Sequence, residues 1–317
     1  MEYAVTVDIG GTNIKGGLVD RDGEIIYRMG KESEAQKGVL HLMGNVSSIL
    51  KGLIGYIKKT DIAGIGIGSA GLIDYVSGKV IFATPNIPFY TGMNIKDMIE
   101  REFCLKTFVD NDVNMAGIGE AWKGAGIGTR KMLCITVGTG IGGCILYDGV
   151  VERGISGSAG VVGHMIIKFD GLQCNCGNRG CYEQYASTAA LTRNFNERLK
   201  RGETSSVTTH LKGSEDINAR MVFNAARNGD TLANKVINEF IEYLGIGIIS
   251  LTHILNPEII IIGGGISNEG NYLTDKLSGY VDKYVITSFS KKLKIVPARL
   301  CNDAGLVGAA RTVFDNA

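Results

Sequence analysis

The sequence predicts an α/β protein of about two domains with strands and helices in layers, and three observations carry that prediction. Apolar runs of strand length alternate with stretches whose apolar residues recur at helical spacing in both halves of the chain, the pattern of helices laid on a sheet. A strand, a glycine loop and a returning strand occur twice, about 130 residues apart. A chain of 317 residues with 44% hydrophobic content buries a large core.

The elements follow in chain order. Residues 3–9 read as a strand, Gly10-Gly11-Thr12-Asn13 turns the chain, and residues 15–19 return before a second turn at residues 20–23, which together make a hairpin with a glycine loop. Residues 63–68 and 108–109 are short buried strands, the second leading through Asp110-Asn111-Asp112 into a helix over residues 113–122. The hairpin pattern recurs with a strand at 132–137, Gly138-Thr139-Gly140-Ile141-Gly142-Gly143, a strand at 144–147 and an Asp148-Gly149 turn. Helical spacing then runs over 231–255, and a strand at 259–262 enters Gly263-Gly264-Gly265. The 45 glycines against 4 prolines gather at the ends of apolar runs, as in tight strand-to-turn loops. Residues 201–216, rich in Thr, Ser and Gly, are the expected flexible insertion.

Composition narrows the partners. Lys and Arg number 33 against 32 Asp and Glu, so there is no basic field to attract nucleic acid or an anionic membrane, and a small molecule is the expected partner. The N-terminus lacks the charged start and apolar middle of a signal peptide, which predicts a cytoplasmic protein. The most apolar stretch, residues 244–262, is interrupted by His253, Asn256, Pro257 and Glu258 and does not read as a bilayer span. Seven cysteines, three of them crowded at Cys174, Cys176 and Cys181, suit a cytosolic metal site better than a disulfide framework.

Four motifs can carry chemistry. In Asp8-Ile9-Gly10-Gly11-Thr12-Asn13-Ile14-Lys15, glycines let backbone N–H groups approach phosphate oxygens, Thr12 and Asn13 add donors, and Asp8 can hold magnesium through water. An ordinary hairpin turn is the plain alternative, and the same holds for Gly138, Thr139, Gly140 and Gly142. Two such loops after equivalent strands nevertheless match a nucleotide clamped by one phosphate cradle from each domain. Gly264 and Gly265 either let adenine or ribose lie against bare backbone or simply end a strand. Asp110-Asn111-Asp112 is either a helix N-cap or a site in which Asp112 is the general base for a sugar hydroxyl attacking a γ-phosphate, with Asn111 on a neighbouring hydroxyl. Finally, His164 with Cys174, Cys176 and Cys181 offers one imidazole and three thiolates, a closed tetrahedral set that points to structural zinc.

On these motifs the sequence resembles the ROK family, which shares the actin-like ATPase (ribonuclease H-like) fold, and particularly its bacterial glucokinases. The likeness also covers residues 157–164, 174–183 and 302–309. It implies two α/β domains with a ligand cleft between them, residues 1–110 with about 303–317 forming one and residues 111–302 the other. It implies ATP, Mg2+ and structural Zn2+ as cofactors, Asp112 as the catalytic base, sugar contacts from Asn111, His164 and Glu183, and a homodimer. Asn86 and the run Ser69, Ala70 and Gly71 resemble further parts of the sugar wall.

The likeness is not complete. Val161 stands where the family usually has a glutamate that grips hydroxyls near the anomeric end of the sugar. Loss of a charge-assisted hydrogen bond costs about 1.5–3 kcal/mol for a substrate that needs it, so a sugar with an apolar or acetylated edge is a competing expectation. Asp110 replaces a common glutamate and Ala70 a common proline. The resulting expectation is phosphorylation of glucose at the 6-hydroxyl, with N-acetylmannosamine, N-acetylglucosamine or fructose as alternative substrates. A non-catalytic sugar-sensing protein is the alternative of another class. A sugar-sensing repressor is disfavoured, because the first phosphate loop begins at Asp8, leaving no room for a helix-turn-helix module ahead of it.

Overall fold

The computed structural model describes residues 2–83, 87–210, 216–290 and 292–317. The first sheet begins with β1 (Tyr3–Ile9), β2 (Asn13–Asp20) and β3 (Ile25–Glu32), followed by helix α1 (Val39–Gly55) and strand β4 (Ile62–Ser69). A small antiparallel hairpin, β5 (Leu72–Asp74) and β6 (Lys79–Phe82), precedes α2 (Ile95–Phe103), β7 (Thr107–Asn111) and α3 (Asp112–Lys123). The strand order is β3-β2-β1-β4-β7. The β1–β2 and β2–β3 pairs are antiparallel, whereas β1–β4 and β4–β7 are parallel.

The second sheet repeats that order. It contains β8 (Lys131–Val137), β9 (Ile141–Tyr147), β10 (Val150–Val151), β11 (Ile259–Gly263) and β12 (Lys294–Pro297) in the order β10-β9-β8-β11-β12. Its β8–β11 and β11–β12 pairs are parallel. The intervening helices are α4 (Glu183–Ala186), α5 (Thr188–Lys200), α6 (Ala219–Arg227), α7 (Thr231–Leu255), α8 (Asn271–Tyr284) and α9 (Thr287–Ser290), and the chain ends in α10 (Ala304–Asn316). Among the described residues no helix is long and apolar enough to cross a membrane.

The chain divides into two compact units. One comprises Met1–Arg130, Cys144–Gly160 and Asn302–Ala317, the other Lys131–Gly143 and Val161–Cys301. The first unit therefore runs past residue 110 to keep the β7–α3 corner whole, and it also takes up Cys144–Gly160. Of the expected flexible insertion, residues 211–215 lie outside the described residues, while Ser205 and Ser206 are tied to Asp230, whose side chain also caps α7.

The strands form where the sequence supplies apolar residues for both faces. All five positions of β11, Ile-Ile-Ile-Ile-Gly, are buried, as a parallel strand covered on both sides requires. In the first unit Val5, Val7, Ile9, Ile65 and Ile67 pack with Leu42, Val46, Leu50 and Leu53 of α1, each fully buried aliphatic side chain contributing about 1.5–3 kcal/mol.

Not all of the glycine serves turns. A Cβ on Gly308 of α10 would lie 1.7 Å from the Met115 carbonyl oxygen of α3, and one on Gly119 of α3 would lie 2.2 Å from the Ala304 carbonyl oxygen. The two helices thus meet backbone to backbone, and this contact fixes the helix that begins at Asp112. Gly308→Ala is expected to destabilise the first unit by on the order of 3 kcal/mol, read as a drop of several degrees in the thermal midpoint. An unchanged midpoint would show that the helices separate without cost.

Candidate active site

In the first unit the parallel register brings three strand ends to one level, with Ile9 beside Ser69 and Ser69 beside Asn111. The loops that leave this edge are the ones singled out in the sequence: Gly10 to Asn13 after β1, Ala70 and Gly71 after β4, and Asp112 after β7. The C-terminal edge of parallel strands is where α/β folds place ligands.

The glycine loop is held from behind and open in front. Gly10 N–H donates to the Asn13 carbonyl at 3.0 Å, Ser33 N–H to the Thr12 carbonyl at 2.8 Å, and the Ser33 hydroxyl to the Gly11 carbonyl at 2.6 Å. Gly11, Thr12 and Asn13 are exposed. Lys15 Nζ reaches the Asn302 carbonyl at 3.5 Å. Asp8 sits behind the loop, and burial raises its pKa against the opposing pull of Lys15. A Cβ on Gly305, in the first turn of α10, would lie 3.3 Å from the Asp8 carboxyl carbon, so that helix end closes directly over the carboxylate.

The β7–α3 corner separates the two readings of Asp110-Asn111-Asp112 by residue. Asn111 is the helix cap, its Oδ1 accepting from Val113 N–H at 2.9 Å and Asn114 N–H at 3.3 Å. Its amide also donates to the Gly71 carbonyl at 2.8 Å, a residue held at φ +101°, where glycine is favoured. Asp112 is not the cap, and its Oδ1 accepts from Val113 N–H at 2.9 Å. Burial first, and the Asp8 carboxylate second, push its pKa from 3.8 up to about 7. Ser69 is fully buried with its hydroxyl 2.6 Å from the Tyr90 hydroxyl, so it braces the edge through Tyr90. Burial, and then the charge of Asp112, raise the Tyr90 phenol to about 12. Tyr90 went unnoticed in the sequence because a lone tyrosine in an irregular stretch carries no periodic signal. Asn86 lies outside the described residues.

The second unit holds the other candidates. His164, Cys174, Cys176 and Cys181 bring four ligand atoms within 4.8 Å of one another. Cys174 Sγ is 3.6 Å from His164 Nδ1, and Cys176 Sγ is 3.6 Å from Cys181 Sγ. The Asn178 N–H holds the Cys176 thiol below its usual pKa, while burial pushes Cys181 up to about 12. The donor set is soft, compact and of the right number for zinc. Glu183 lies beside it, accepting from the Cys174 thiol at 3.3 Å. Its Oε2 would be 2.8 Å from a Cβ on Gly140, so the second glycine loop packs against this carboxylate.

Gly138 and Gly264 belong to the same edge, since β8 and β11 pair in parallel with Thr136 beside Gly263. Gly264 lies at φ +78°, where a Cβ would strike the Val137 backbone at 2.6 Å. Gly265 lines a cavity of about 610 Å³ together with Thr188, Asn218, Arg220 and Phe223. Thr188 N–H donates to the Gly138 carbonyl at 2.9 Å, so the Gly138 loop is tied to one residue of that cavity's wall.

A family model described as ROK family matches residues 4–316, and the chain belongs to the ROK family. A glucokinase of Halalkalibacterium halodurans is 37% identical over 309 residues, covering 96% of this chain and 93% of that protein. A glucokinase of Thermotoga maritima is 34% identical over 309 residues, covering 98% and 96%. The crystal structure of a ROK family glucokinase from Streptomyces griseus in complex with glucose and AMPPNP aligns with a TM-score of 0.88 at 33% identity, covering 99% of this chain and 100% of that one. The expected two-domain actin-like ATPase fold is thus the fold of this chain.

The raised carboxyl of Asp112 has a consequence for stability. Its unfolded-state pKa of 3.8 lies below the folded value of about 7, so between these limits the unfolded chain gives up a proton that the folded chain keeps, and stability falls as pH rises. Asp112→Asn is expected to stabilise the fold at pH 8 by on the order of 1–2 kcal/mol, read as a higher thermal midpoint, and progressively less towards pH 5. A gain independent of pH would show that the carboxyl is not held above its ordinary range.

Proposed function

We propose that this protein is an ATP-dependent sugar kinase that transfers the γ-phosphoryl group to the 6-hydroxyl of glucose, with Asp112 as general base. The observation that carries this reading is the Asp112 carboxyl, raised to about 7 at the strand edge that also carries the Asp8 to Lys15 loop. A carboxylate titrating near neutrality is matched to proton abstraction from an alcohol. As the hydroxyl oxygen bonds to the γ-phosphorus, its proton passes to Asp112, the bond from that phosphorus to the β,γ-bridging oxygen breaks, and ADP leaves. The two glucokinase relatives support the sugar and the reaction class.

The chain's own groups divide the remaining work. In the first unit, donors of Gly11, Thr12 and Asn13 bind phosphates while Gly10, its N–H on the Asn13 carbonyl, shapes the turn. In the second, Thr139, Gly140 and Gly142 do so while Gly138, its N–H on the Gly140 carbonyl, shapes the turn, and the cavity at Gly265, next to Gly264, takes the nucleoside. Gly71 and Asn111 of the first unit, and His164 and Glu183 of the second, are each assigned to sugar hydroxyls on the resemblance. His164 turns Nδ1 to the thiols, which leaves its Nε2 edge for a hydroxyl. Asp8 is the residue that would hold magnesium, which supplies positive charge to phosphate oxygens and offsets the buried carboxylates. Zinc on His164, Cys174, Cys176 and Cys181 would fix the loop that presents Glu183. A cytoplasmic homodimer completes the reading, on the resemblance alone.

Val161 favours a second reading of the substrate. It is 50% exposed in the turn that leads to His164, an apolar surface that suits an N-acetyl group better than a bare hydroxyl. An ADP-release assay over hexoses and N-acetylhexosamines distinguishes the two. Turnover is expected to rise with pH through about 7 and to fall by about 10²–10⁴ in Asp112→Asn. No turnover with any sugar would support a non-catalytic sugar-binding protein, and turnover surviving Asp112→Asn would remove the base.

The purified protein is expected to carry about one equivalent of zinc. Cys176→Ala should lose the metal and lower the thermal midpoint. Zinc below about half an equivalent would count against the site.

A further inference from the structure

Asp110 and Arg153 form a buried ion pair for which no role has been assigned. Asp110 Oδ2 lies 2.7 Å from Arg153 Nη2, with side chains 3% and 21% exposed. The approach is close but poorly aligned, since Asp110 Oδ2 and Arg153 Nη1 are both buried without a hydrogen-bond partner among the described residues. Removing two charges from water costs several kcal/mol each, and an imperfectly bonded pair rarely recovers that cost. Stability therefore does not account for it.

Its connections suggest another purpose. Asp110 Oδ1 accepts from Asn111 N–H at 2.7 Å and from the Asn114 side-chain amide at 3.0 Å. One carboxylate thus grips the residues on both sides of Asp112 while its other oxygen faces Arg153. The guanidinium is itself fixed, its central carbon 3.9 Å from the centroid of the Tyr75 ring, and it rises from the segment after β10. We infer that Arg153 is a positioning residue for the proposed base: it locks Asp110, and Asp110 sets the β7–α3 corner so that Asp112 points at the sugar hydroxyl. This rests on the kinase reading above. A misplacement of about 1 Å costs on the order of 10²-fold in rate, so a loose corner would slow the chemical step while the nucleotide still binds.

The test uses the full chain with glucose, or whichever panel sugar turns over, and ATP, comparing wild type, Asp112→Asn, Arg153→Met, Arg153→Lys, Asp110→Asn and the Arg153→Met/Asp110→Asn double variant. Met keeps the apolar stem against Tyr75 and removes only the charge. Arg153→Met should lower kcat about 10- to 100-fold and leave the KM for ATP within about twofold. Arg153→Lys should recover part of that loss, and the double variant should be no slower than the slower single one. The inference is overturned if Arg153→Met keeps kcat within about twofold of wild type, if the single losses multiply in the double, or if the KM for ATP rises with the loss. Should Arg153→Met not fold, the double variant, which removes the orphaned charge, takes its place: a kcat lowered at least tenfold with unchanged KM for ATP supports the inference, and wild-type kcat or failure to fold overturns it. If Asp112→Asn itself keeps turnover, the base assignment falls. If Asp112→Asn is inactive and Arg153→Met is not impaired, only the positioning role falls.

Discussion

Two carboxylates crowded at the end of the parallel strands of one mixed sheet set the conditions for the rest of the first unit. Asp8 lies near the end of β1 and Asp112 just after β7, the strands on either side of β4, and each has a pKa raised chiefly by burial. Such an arrangement opposes folding, because each negative charge loses water and Asp112 also feels the field of Asp8. It persists because the surrounding structure leaves these side chains little freedom. The parallel register fixes the strand ends, the Asn111 side chain fixes the start of α3, and the glycine contact between α3 and α10 fixes the helix as a body. Stability given up at a strained polar site and recovered in a packed apolar frame is a common signature of function.

This view makes the glycine content of the chain more informative. Gly308 and Gly119 let two helix backbones touch, and Gly305 leaves room for the Asp8 carboxylate at the start of the same helix. One helix, α10, therefore acts both as a wall of the core and as the cover over a charged residue. Bulkier residues at these positions would push α10 away from both tasks at once. That explains why so small a residue recurs within a helix despite its entropic cost of about 1 kcal/mol relative to alanine.

Much of this was legible in the sequence, and the gaps have physical causes. The strand, glycine-loop, strand units were visible because period and punctuation agree there, and the expected helix over 231–255 coincides with α7. The crowded cysteines and the single histidine could be grouped because the chemistry of the set is strict, and the structure brings their ligand atoms together. Strand β3 gave little signal because most of its residues, Ile-Ile-Tyr-Arg-Met-Gly-Lys-Glu, are exposed and do not alternate. Helix α10 hid behind its glycines, which read as turn signals until the partner helix is in view. Asp110 shows the same limit at the site, since its exchange for glutamate reads as a minor change until Arg153 and Asn114 are seen to grip it. Tertiary partners far apart in sequence leave no local trace.

The second unit applies the same logic with different chemistry. Its glycine loop abuts Glu183, and Glu183 abuts the thiol cluster, so the phosphate-loop candidate and the metal-site candidate share one carboxylate as their boundary. At Gly140 a side chain would collide with that carboxylate at 2.8 Å, so the bare backbone is a condition for placing an acid there. A four-residue helix such as α4 cannot hold Glu183 by its own hydrogen bonds, because so short a segment is marginal in isolation. The Cys174 contact on one side and the Gly140 backbone on the other supply that restraint. The cysteine loop and the glycine loop therefore meet at a single side chain, whose place is set by contacts from both.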